Sequence, residues 1–210
     1  MPLFYQHNIN QHTKLAVWKI AEPEIFFLEK VSLQKEITHM HKRLQHLAGR
    51  YLLQILYPRF PVELIEIAES KKPFLPEQNL HFSISHCGDF AAAIISKDKL
   101  VGIDVETVCA KIENIKHKFL SAAELEIVAT AGQQLSIKDY VFLTLFWSVK
   151  ETIFKWDGKG KIDFKKNMTI QNFSFKNDEG FVEARFEHGQ PVLLKINFKF
   201  FENLCLTWVY

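Results

Sequence analysis

The sequence of 210 residues lacks the features that mark membrane-spanning, secreted and disulfide-bonded proteins. No apolar run approaches the roughly 20 residues needed to cross a bilayer, so we expect no membrane partner. Residues 1–13 are polar and rich in histidine, without the apolar stretch of a secretion signal. The three cysteines are too far apart to make a disulfide framework or a CxxC metal site, which favours a reducing, cytoplasmic location.

The sequence also has little net charge. Its 26 basic and 24 acidic residues leave a formal charge of +2, which argues against a nucleic-acid partner and restricts any basic patch to a local surface. Hydrophobic residues make up 48% of the chain and charged residues 24%, as in ordinary globular domains, so disorder is not expected. The 19 phenylalanines predict cores filled with aromatic rings.

The first half of the chain predicts a sheet packed against one long helix. Helical spacing of apolar residues covers residues 37–57 and ends before Pro58. Short apolar stretches on both sides of this helix predict strands at 16–18, 25–27, 81–85, 90–96 and 100–105. The last three follow one another closely, with Gly88 in the first turn, and predict an antiparallel meander.

The second half predicts helices followed by a second antiparallel sheet. Ser121 and Glu124 have the spacing of a capping box, and Gly132 is expected to end the helix that they begin. The predicted helices are 111–119, 122–131 and 139–155, and the predicted strands are 173–175, 181–186, 192–200 and 204–210. The fold class is therefore α+β, with two similar-sized lobes, residues 1–108 and 109–210, each an antiparallel sheet packed with helices.

Two carboxylates share one face of the predicted strand that ends the first lobe. Side chains alternate along a strand, so Asp104 and Glu106 point one way while Ile103 and Val105 point into a core. The two acids start about 6.6 Å apart, where two negative charges repel by about 2.5 kcal/mol at an effective dielectric constant of about 20. A hard divalent cation would relieve this repulsion. An exposed edge strand carrying two solvated acids is the alternative.

A second polar cluster lies on the predicted helix 139–155. Trp147, Glu151 and Lys155 recur at intervals of four and share one face, and Lys150 adds a second lysine. A surface salt bridge between Glu151 and Lys155 would explain the pair without any function. Trp147 on the same face and the cationic loop at residues 158–160 argue for a site instead.

Three segments follow one another along the chain: Phe82-Ser83-Ile84-Ser85-His86, Gly102-Ile103-Asp104-Val105-Glu106, and Trp147-Ser148-Val149-Lys150-Glu151 with Lys155, Gly158 and Gly160. Taken in this order, they resemble the 4′-phosphopantetheinyl transferases. Cys87 and Thr152 depart from the pattern of this family, since other small residues are commoner there. The chain length is similar to the longer, monomeric, surfactin-synthetase-activator-like branch, in which two lobes form a pseudo-dimer with the active site at their interface.

The resemblance implies transfer of the phosphopantetheine arm from coenzyme A, the substrate, to a serine of an acidic acyl or peptidyl carrier protein, with release of 3′,5′-ADP. Asp104, Glu106 and Glu151 would hold Mg²⁺, or Mn²⁺ in its place. Glu151 would also act as a base, and Lys155 would stabilise or protonate the leaving group. The remaining expected contacts are with the phosphates of coenzyme A and involve Lys72, Ser85, His86, Lys42 and Arg43.

Two other classes of protein remain open from the sequence. A metal-dependent nuclease also combines acids with a Lys-Glu pair, but it usually carries its catalytic lysine on a strand. A non-catalytic coenzyme A-binding or carrier-binding module would need the cations but would have no use for three acids.

Overall fold

The structure, a computed structural model, describes residues 3–33, 36–76 and 80–210. It is an α+β fold of two sheet-rich lobes, and all of its strand pairs are antiparallel. The strands are β1 (Leu3–Asn8), β2 (Thr13–Lys19), β3 (Glu66–Ile67), β4 (Pro73–Phe74), β5 (His81–Cys87), β6 (Phe90–Ser96), β7 (Gly102–Thr107), β8 (Met168–Lys176), β9 (Glu179–Phe186), β10 (Val192–Phe201) and β11 (Leu204–Val209). The helices are α1 (Glu24–Leu28), α2 (Met40–Leu56), α3 (Lys116–Phe119), α4 (Ala122–Leu135) and α5 (Asp139–Asp157), with 3₁₀ turns at Val62–Leu64 and Ala110–Asn114.

The N-terminal sheet has the strand order β1-β2-β6-β5, and α2 packs across it. The predicted helix 37–57 is confirmed, although it begins at Met40, where the His39 side chain accepts a hydrogen bond from the Lys42 amide at 3.4 Å. The predicted strand 25–27 is wrong, because this segment forms α1. Pro23 precedes the first turn and the acidic Glu24 lies within it, which suits a helix N-terminus.

The predicted meander is only partly correct. The β5–β6 hairpin is confirmed, but β7 pairs with β11 in the C-terminal sheet, whose order is β7-β11-β10-β9-β8. Side chains of β5 take the place of a backbone ladder along β7: Ser83 Oγ, Ser85 Oγ and Cys87 Sγ accept hydrogen bonds from the amides of Ile103, Val105 and Thr107 at 3.3, 3.3 and 3.4 Å. The chain therefore passes from the N-terminal sheet to the C-terminal sheet between β6 and β7, before residue 108. The division into two lobes at residue 108 stays a prediction.

The C-terminal lobe packs α4 and α5 on its sheet around a large aromatic core. The Ser121–Glu124 capping box is confirmed. Gly132 does not end α4, which continues to Leu135 and is followed by Ser136 at a φ of 54°. Gly132 instead allows close packing, because a Cβ there would collide with the Asp139 side chain. The predicted segment 111–119 is a 3₁₀ turn followed by the single-turn helix α3.

The two lobes are joined by a third apolar cluster and by a close contact between α5 and β7. The cluster includes Leu15 and Ile94 from the first sheet and Ile103, Val105 and Leu206 from the second. A Cβ at residue 102 would collide with the Thr152 carbonyl, so the glycine found there lets the helix lie directly on the strand. Within the described residues, every helix is too short or too polar to cross a bilayer.

Candidate active site

The strand β7 presents Asp104 and Glu106 toward α5, while Ile103 and Val105 are fully buried in the joint between the lobes. The predicted alternation of faces is therefore confirmed. Asp104 is only 2% exposed and Glu106 is half-buried. An almost fully buried carboxylate requires hydrogen bonds or a counter-charge, and Asp104 has both.

Three side chains donate to the Asp104 carboxylate. Lys155 Nζ and Ser85 Oγ lie 2.5 Å and 2.8 Å from Oδ1, and Ser148 Oγ lies 2.7 Å from Oδ2. Lys155 also donates to Ser85 Oγ at 2.8 Å, so the ammonium group, the hydroxyl and the carboxylate form a closed triangle. Both oxygens of the Asp104 carboxylate are thus hydrogen-bonded, each by different side chains.

Glu106 accepts a hydrogen bond from the indole of Trp147, with Nε1 3.0 Å from Oε1. The Trp147 ring itself packs edge-on against Phe119, at 5.1 Å between centroids. Burial raises the pKa of Glu106 above its usual value, and the neighbouring Asp104 charge raises it further. Trp147 therefore helps to position an acidic group and does not serve only as core.

Lys155 reaches from α5 to Asp104, and Glu151 precedes it by one helical turn on the same face. Burial raises the pKa of Glu151 to about 7, the Lys155 charge opposes this rise, and the Asp104 and Glu106 charges add to it. A carboxylate with this pKa exchanges protons readily near neutral pH, as a general base requires. Because both residues lie on a helix, the nuclease alternative, which expects the lysine on a strand, gains no support.

The second lysine of this motif lies elsewhere. Lys150 is fully buried in the core of the C-terminal lobe and forms an ion pair with Glu124 at 2.8 Å. It also donates to the backbone carbonyls of Phe119, Phe164 and Met168 at 2.8, 3.0 and 3.0 Å. The expectation of two lysines at the site is therefore wrong. Lys150 and Glu151 are consecutive residues of a helix, so their side chains point about 100° apart.

The residues predicted to contact phosphates differ in their exposure and in their hydrogen-bond partners. Lys72 is half-buried and donates to the Trp156 carbonyl at 3.0 Å, at the C-terminal end of α5, and burial lowers its pKa. Burial and the nearby Lys155 charge lower the pKa of His86, with a smaller contribution from Lys42. Lys42 is exposed on α2, and His86 is the second-last residue of β5. Arg43 is engaged by Glu24 through two bonds of 2.6 and 2.7 Å.

A cavity of about 300 Å³ opens beside these groups, between the lobes. Its wall combines the cationic Lys72 and Lys155 with apolar Phe82 and Phe154. A second cavity of about 320 Å³ shares Lys72 and Gly158 with the first as lining residues. The site therefore offers positive charge and apolar surface next to a cluster of carboxylates.

Sequence reasoning missed three hydroxyl residues that support Asp104: Ser148 and Thr152 on α5, and Thr207 on β11. Thr207 lies directly opposite Asp104 in the β7–β11 pair, and each of the three side chains is fully buried. One signal was available, since Ser148 and Thr152 are polar residues four apart within an apolar helix and share one of its faces.

The carboxylate set suits a hard divalent cation in its chemistry. Mg²⁺ commonly binds one or two carboxylates and completes its shell with water and substrate phosphate, which Asp104, Glu106 and Glu151 could satisfy. In the described part of the chain, no group of three or more His, Cys, Asp or Glu side chains is arranged to hold a metal ion. The ammonium group of Lys155 supplies the cation beside Asp104 in this structure.

Enzymes of phosphoryl transfer combine lysines that contact phosphates with carboxylates that bind Mg²⁺. The comparison with protein families is more specific. The chain belongs to the 4′-phosphopantetheinyl transferase superfamily, whose model matches residues 100–205, about half of its length. That segment contains Asp104, Glu106, Glu151 and Lys155.

Relatives among characterised proteins agree with this family. Enterobactin synthase component D of Escherichia coli (strain K12) is 31% identical over 117 residues, which cover 54% of this chain and 54% of that protein. The 4′-phosphopantetheinyl transferase AcpT of the same strain is 30% identical over 134 residues, covering 60% and 64%. The chain thus spans about half the length of the first of these relatives. The surfactin-synthetase-activator-like branch stays a prediction.

Proposed function

We propose that this protein transfers 4′-phosphopantetheine from coenzyme A to a serine of an acyl or peptidyl carrier protein and releases 3′,5′-ADP. The observation that carries this proposal is the contact between Lys155 on α5 and Asp104 on β7, 2.5 Å apart and beside the interlobe cavity. Glu151 precedes Lys155 by one helical turn on the same face, and the charges of Asp104 and Glu106 contribute to the rise of its pKa. Family membership supports the same chemistry.

The residues can share the reaction as follows. The Glu151 carboxylate takes the proton of the carrier serine, whose oxygen then attacks the phosphorus that bears the pantetheine arm. A new phosphorus–oxygen bond forms, and the bond from this phosphorus to the bridging oxygen of the diphosphate breaks. The electron pair of the broken bond stays on 3′,5′-ADP, where the ammonium group of Lys155 stabilises or protonates the departing oxygen.

Asp104, Glu106 and Glu151 are the residues that would hold Mg²⁺, or Mn²⁺. Such a cation neutralises charge on a diphosphate. Two features of the chain prepare these residues: Trp147 orients Glu106, and Ser148 orients Asp104. Lys155 would then exchange its bond to Asp104 for one to the substrate.

The interlobe cavity is the proposed site for coenzyme A. Its lysines suit the phosphates, and Phe82 and Phe154 provide apolar contact for the rest of the ligand. Ser85 is bonded to Lys155 at this cavity, and we propose that Ser85, His86 and Lys42 complete the phosphate contacts. Arg43 would have to leave Glu24 to take part.

A basic rim near Trp147 is the proposed docking surface for an acidic carrier. Lys111, Lys116 and Lys118 are exposed on the segment that leads to Phe119, and Phe119 packs on Trp147. Positive charge at this place would steer an acidic partner toward Glu151. A monomeric state and a cytoplasmic location remain predictions alongside this one.

The decisive experiment measures the mass of a purified apo carrier protein after incubation with the enzyme, coenzyme A and Mg²⁺. We expect the carrier to gain one phosphopantetheine group. Asp104→Ala and Glu151→Ala should each slow this gain by at least about 10²-fold, because each removes an electrostatic group from the reacting centre. An exposed substitution, Glu126→Gln on α4, is the matched control and should leave the rate unchanged.

Either a wild-type enzyme that adds no mass to any acyl or peptidyl carrier, or acid variants that work at the wild-type rate, would contradict the proposal. Binding of coenzyme A without transfer would favour the non-catalytic module.

A further inference from the structure

Three hydroxyl groups lie behind Asp104, on the side away from the cavity. Ser148 and Thr152 come from α5 and Thr207 comes from β11, and each side chain is 0% exposed. Burying three hydroxyl groups next to an apolar core is unfavourable unless they bond to one another or to a charge. Here they do both.

The distances form a continuous chain of hydrogen bonds. Thr152 Oγ1 lies 2.5 Å from Thr207 Oγ1, which lies 2.9 Å from Ser148 Oγ, which lies 2.7 Å from Asp104 Oδ2. Thr207 Oγ1 is also 3.0 Å from the Ser148 carbonyl oxygen. One short path therefore connects helix α5, strand β11 and the buried carboxylate on β7.

Counting hydrogens fixes the direction of the bond nearest the carboxylate. The Asp104 carboxylate is an acceptor, so the single hydroxyl hydrogen of Ser148 is committed to it, and Ser148 Oγ can only accept from Thr207. The Thr207 hydroxyl lies within hydrogen-bonding distance of both Ser148 Oγ and the Ser148 carbonyl, and the Thr152 hydroxyl lies within that distance of both Thr207 Oγ1 and the Thr207 carbonyl, the last at 3.3 Å. When the two threonines donate along the chain, the hydroxyl groups polarise one another and strengthen the bond to Asp104.

The two oxygens of Asp104 consequently have separate partners. Oδ2 receives the hydroxyl chain, while Oδ1 faces Lys155 and Ser85 on the cavity side. Because the chain holds Oδ2 from behind, it fixes the rotation of the carboxylate and keeps Oδ1 directed at the site.

We propose that Ser148, Thr207 and Thr152 are positioning residues that fix the Asp104 carboxylate for cation and diphosphate binding. The proposal rests on the proposed function in one respect, since Asp104 is the residue assigned to the cation. Thr152 is of special interest, because this position departs from the pattern of the family and its hydroxyl forms the end of the chain furthest from Asp104.

The experiment compares variants that remove one hydroxyl each. Ser148→Ala and Thr207→Val break the chain next to Asp104 and one step further away, and Thr207→Ser restores the hydroxyl. The matched control is Thr144→Val, a buried threonine on the same helix whose hydroxyl donates only to the Tyr140 carbonyl at 2.7 Å. Each protein is titrated with Mn²⁺, with and without coenzyme A, while electron paramagnetic resonance follows the free ion. Crystal structures record the orientation of Asp104.

We expect Ser148→Ala to weaken Mn²⁺ binding by about tenfold, as loss of a group that orients a metal ligand commonly does. Thr207→Val should have a smaller effect, Thr207→Ser should recover it, and Thr144→Val should bind like the wild type. The Asp104 carboxylate should adopt more than one orientation in the first two variants. Wild-type Mn²⁺ affinity together with an unmoved Asp104 in Ser148→Ala and Thr207→Val would overturn the proposal.

The outcomes separate this proposal from the proposed function. A wild-type enzyme that transfers phosphopantetheine while both broken-chain variants bind Mn²⁺ normally would refute the hydroxyl chain alone. A wild-type enzyme that transfers nothing, with variants that lose Mn²⁺ and disorder Asp104 as expected, would refute the proposed function alone.

Discussion

Helix α5 forms two lysine–carboxylate ion pairs, each with a buried carboxylate, that differ in the exposure of the lysine and in the number of its hydrogen bonds. Lys150 and Glu124 are 0% and 2% exposed at the side chain and lie 2.8 Å apart, with all lysine hydrogens bonded to protein oxygens. Lys155 and Asp104 lie 2.5 Å apart, but the lysine side chain is 24% exposed and borders the interlobe cavity. Five residues turn a helix by about 500°, so the two lysines point about 140° apart.

The difference shows how one helix can serve both the fold and the site. A buried pair with saturated hydrogen bonds has no capacity left for a ligand, so the Lys150–Glu124 pair holds α4, α5 and β8 together. The pair at the cavity keeps a partly hydrated ammonium group, which can exchange partners at little cost. Accessible charge beside a cavity, and not the ion pair itself, marks the functional lysine.

The largest effect is expected from Lys150→Met. It should lower the free energy of unfolding by about 3–5 kcal/mol, because the Glu124 charge would remain buried without a counter-charge. Urea unfolding followed by circular dichroism measures this loss. Adding Glu124→Gln should recover part of it by removing the unpaired charge. A Lys150→Met variant with the wild-type unfolding midpoint would show that the buried pair has no structural role.

The same substitution at the other lysine should separate activity from stability. Lys155→Met is expected to reduce the turnover number by about 10²-fold, with a smaller effect on coenzyme A affinity. The unfolding midpoint should fall less than in Lys150→Met, because Asp104 keeps its hydrogen bonds to Ser85 and Ser148. Carrier mass gain, calorimetric titration with coenzyme A and urea unfolding measure the three quantities. If coenzyme A affinity falls more than turnover, Lys155 is a binding residue and not a participant in the chemistry.

Local patterns predicted the helices and hairpins well because their signals lie within a few residues. The capping box at Ser121, the hairpin at Gly88 and the helix predicted from residue 139, which forms α5, are all of this kind. The partner of β7 could not be predicted in this way. It depends on serine side chains of β5 that occupy the amides of β7, and the resulting pairing with β11 joins residues about a hundred positions apart.

The site shows the same division. The intervals of two and four residues were enough to predict that Asp104 and Glu106 share a face, as do Glu151 and Lys155. The sequence could not show that Lys155 bonds to Asp104 or that Thr207 lies behind it, because these contacts cross between distant segments. The angle between Lys150 and Glu151 was available from helix geometry, and its neglect explains the wrong placement of Lys150.

The smallest effect concerns the pH dependence of stability in the metal-free protein. The pKa of Glu151 is raised to about 7 from 4.5, so the folded state keeps a proton that the unfolded state has lost between these values. The contribution to stability is complete below pH 4.5 and disappears as pH rises through 7. Glu151→Gln has no proton to lose at this position. Its free energy of unfolding relative to that of the wild type should therefore grow between pH 5 and pH 8 by on the order of 1 kcal/mol, which is less than the whole pKa shift would give because the site is partly hydrated. Urea unfolding in the presence of a chelator measures the difference, with the exposed Glu126→Gln as control. A constant difference across this range would mean that Glu151 is already ionised in the folded protein and that its environment is more polar than the geometry indicates.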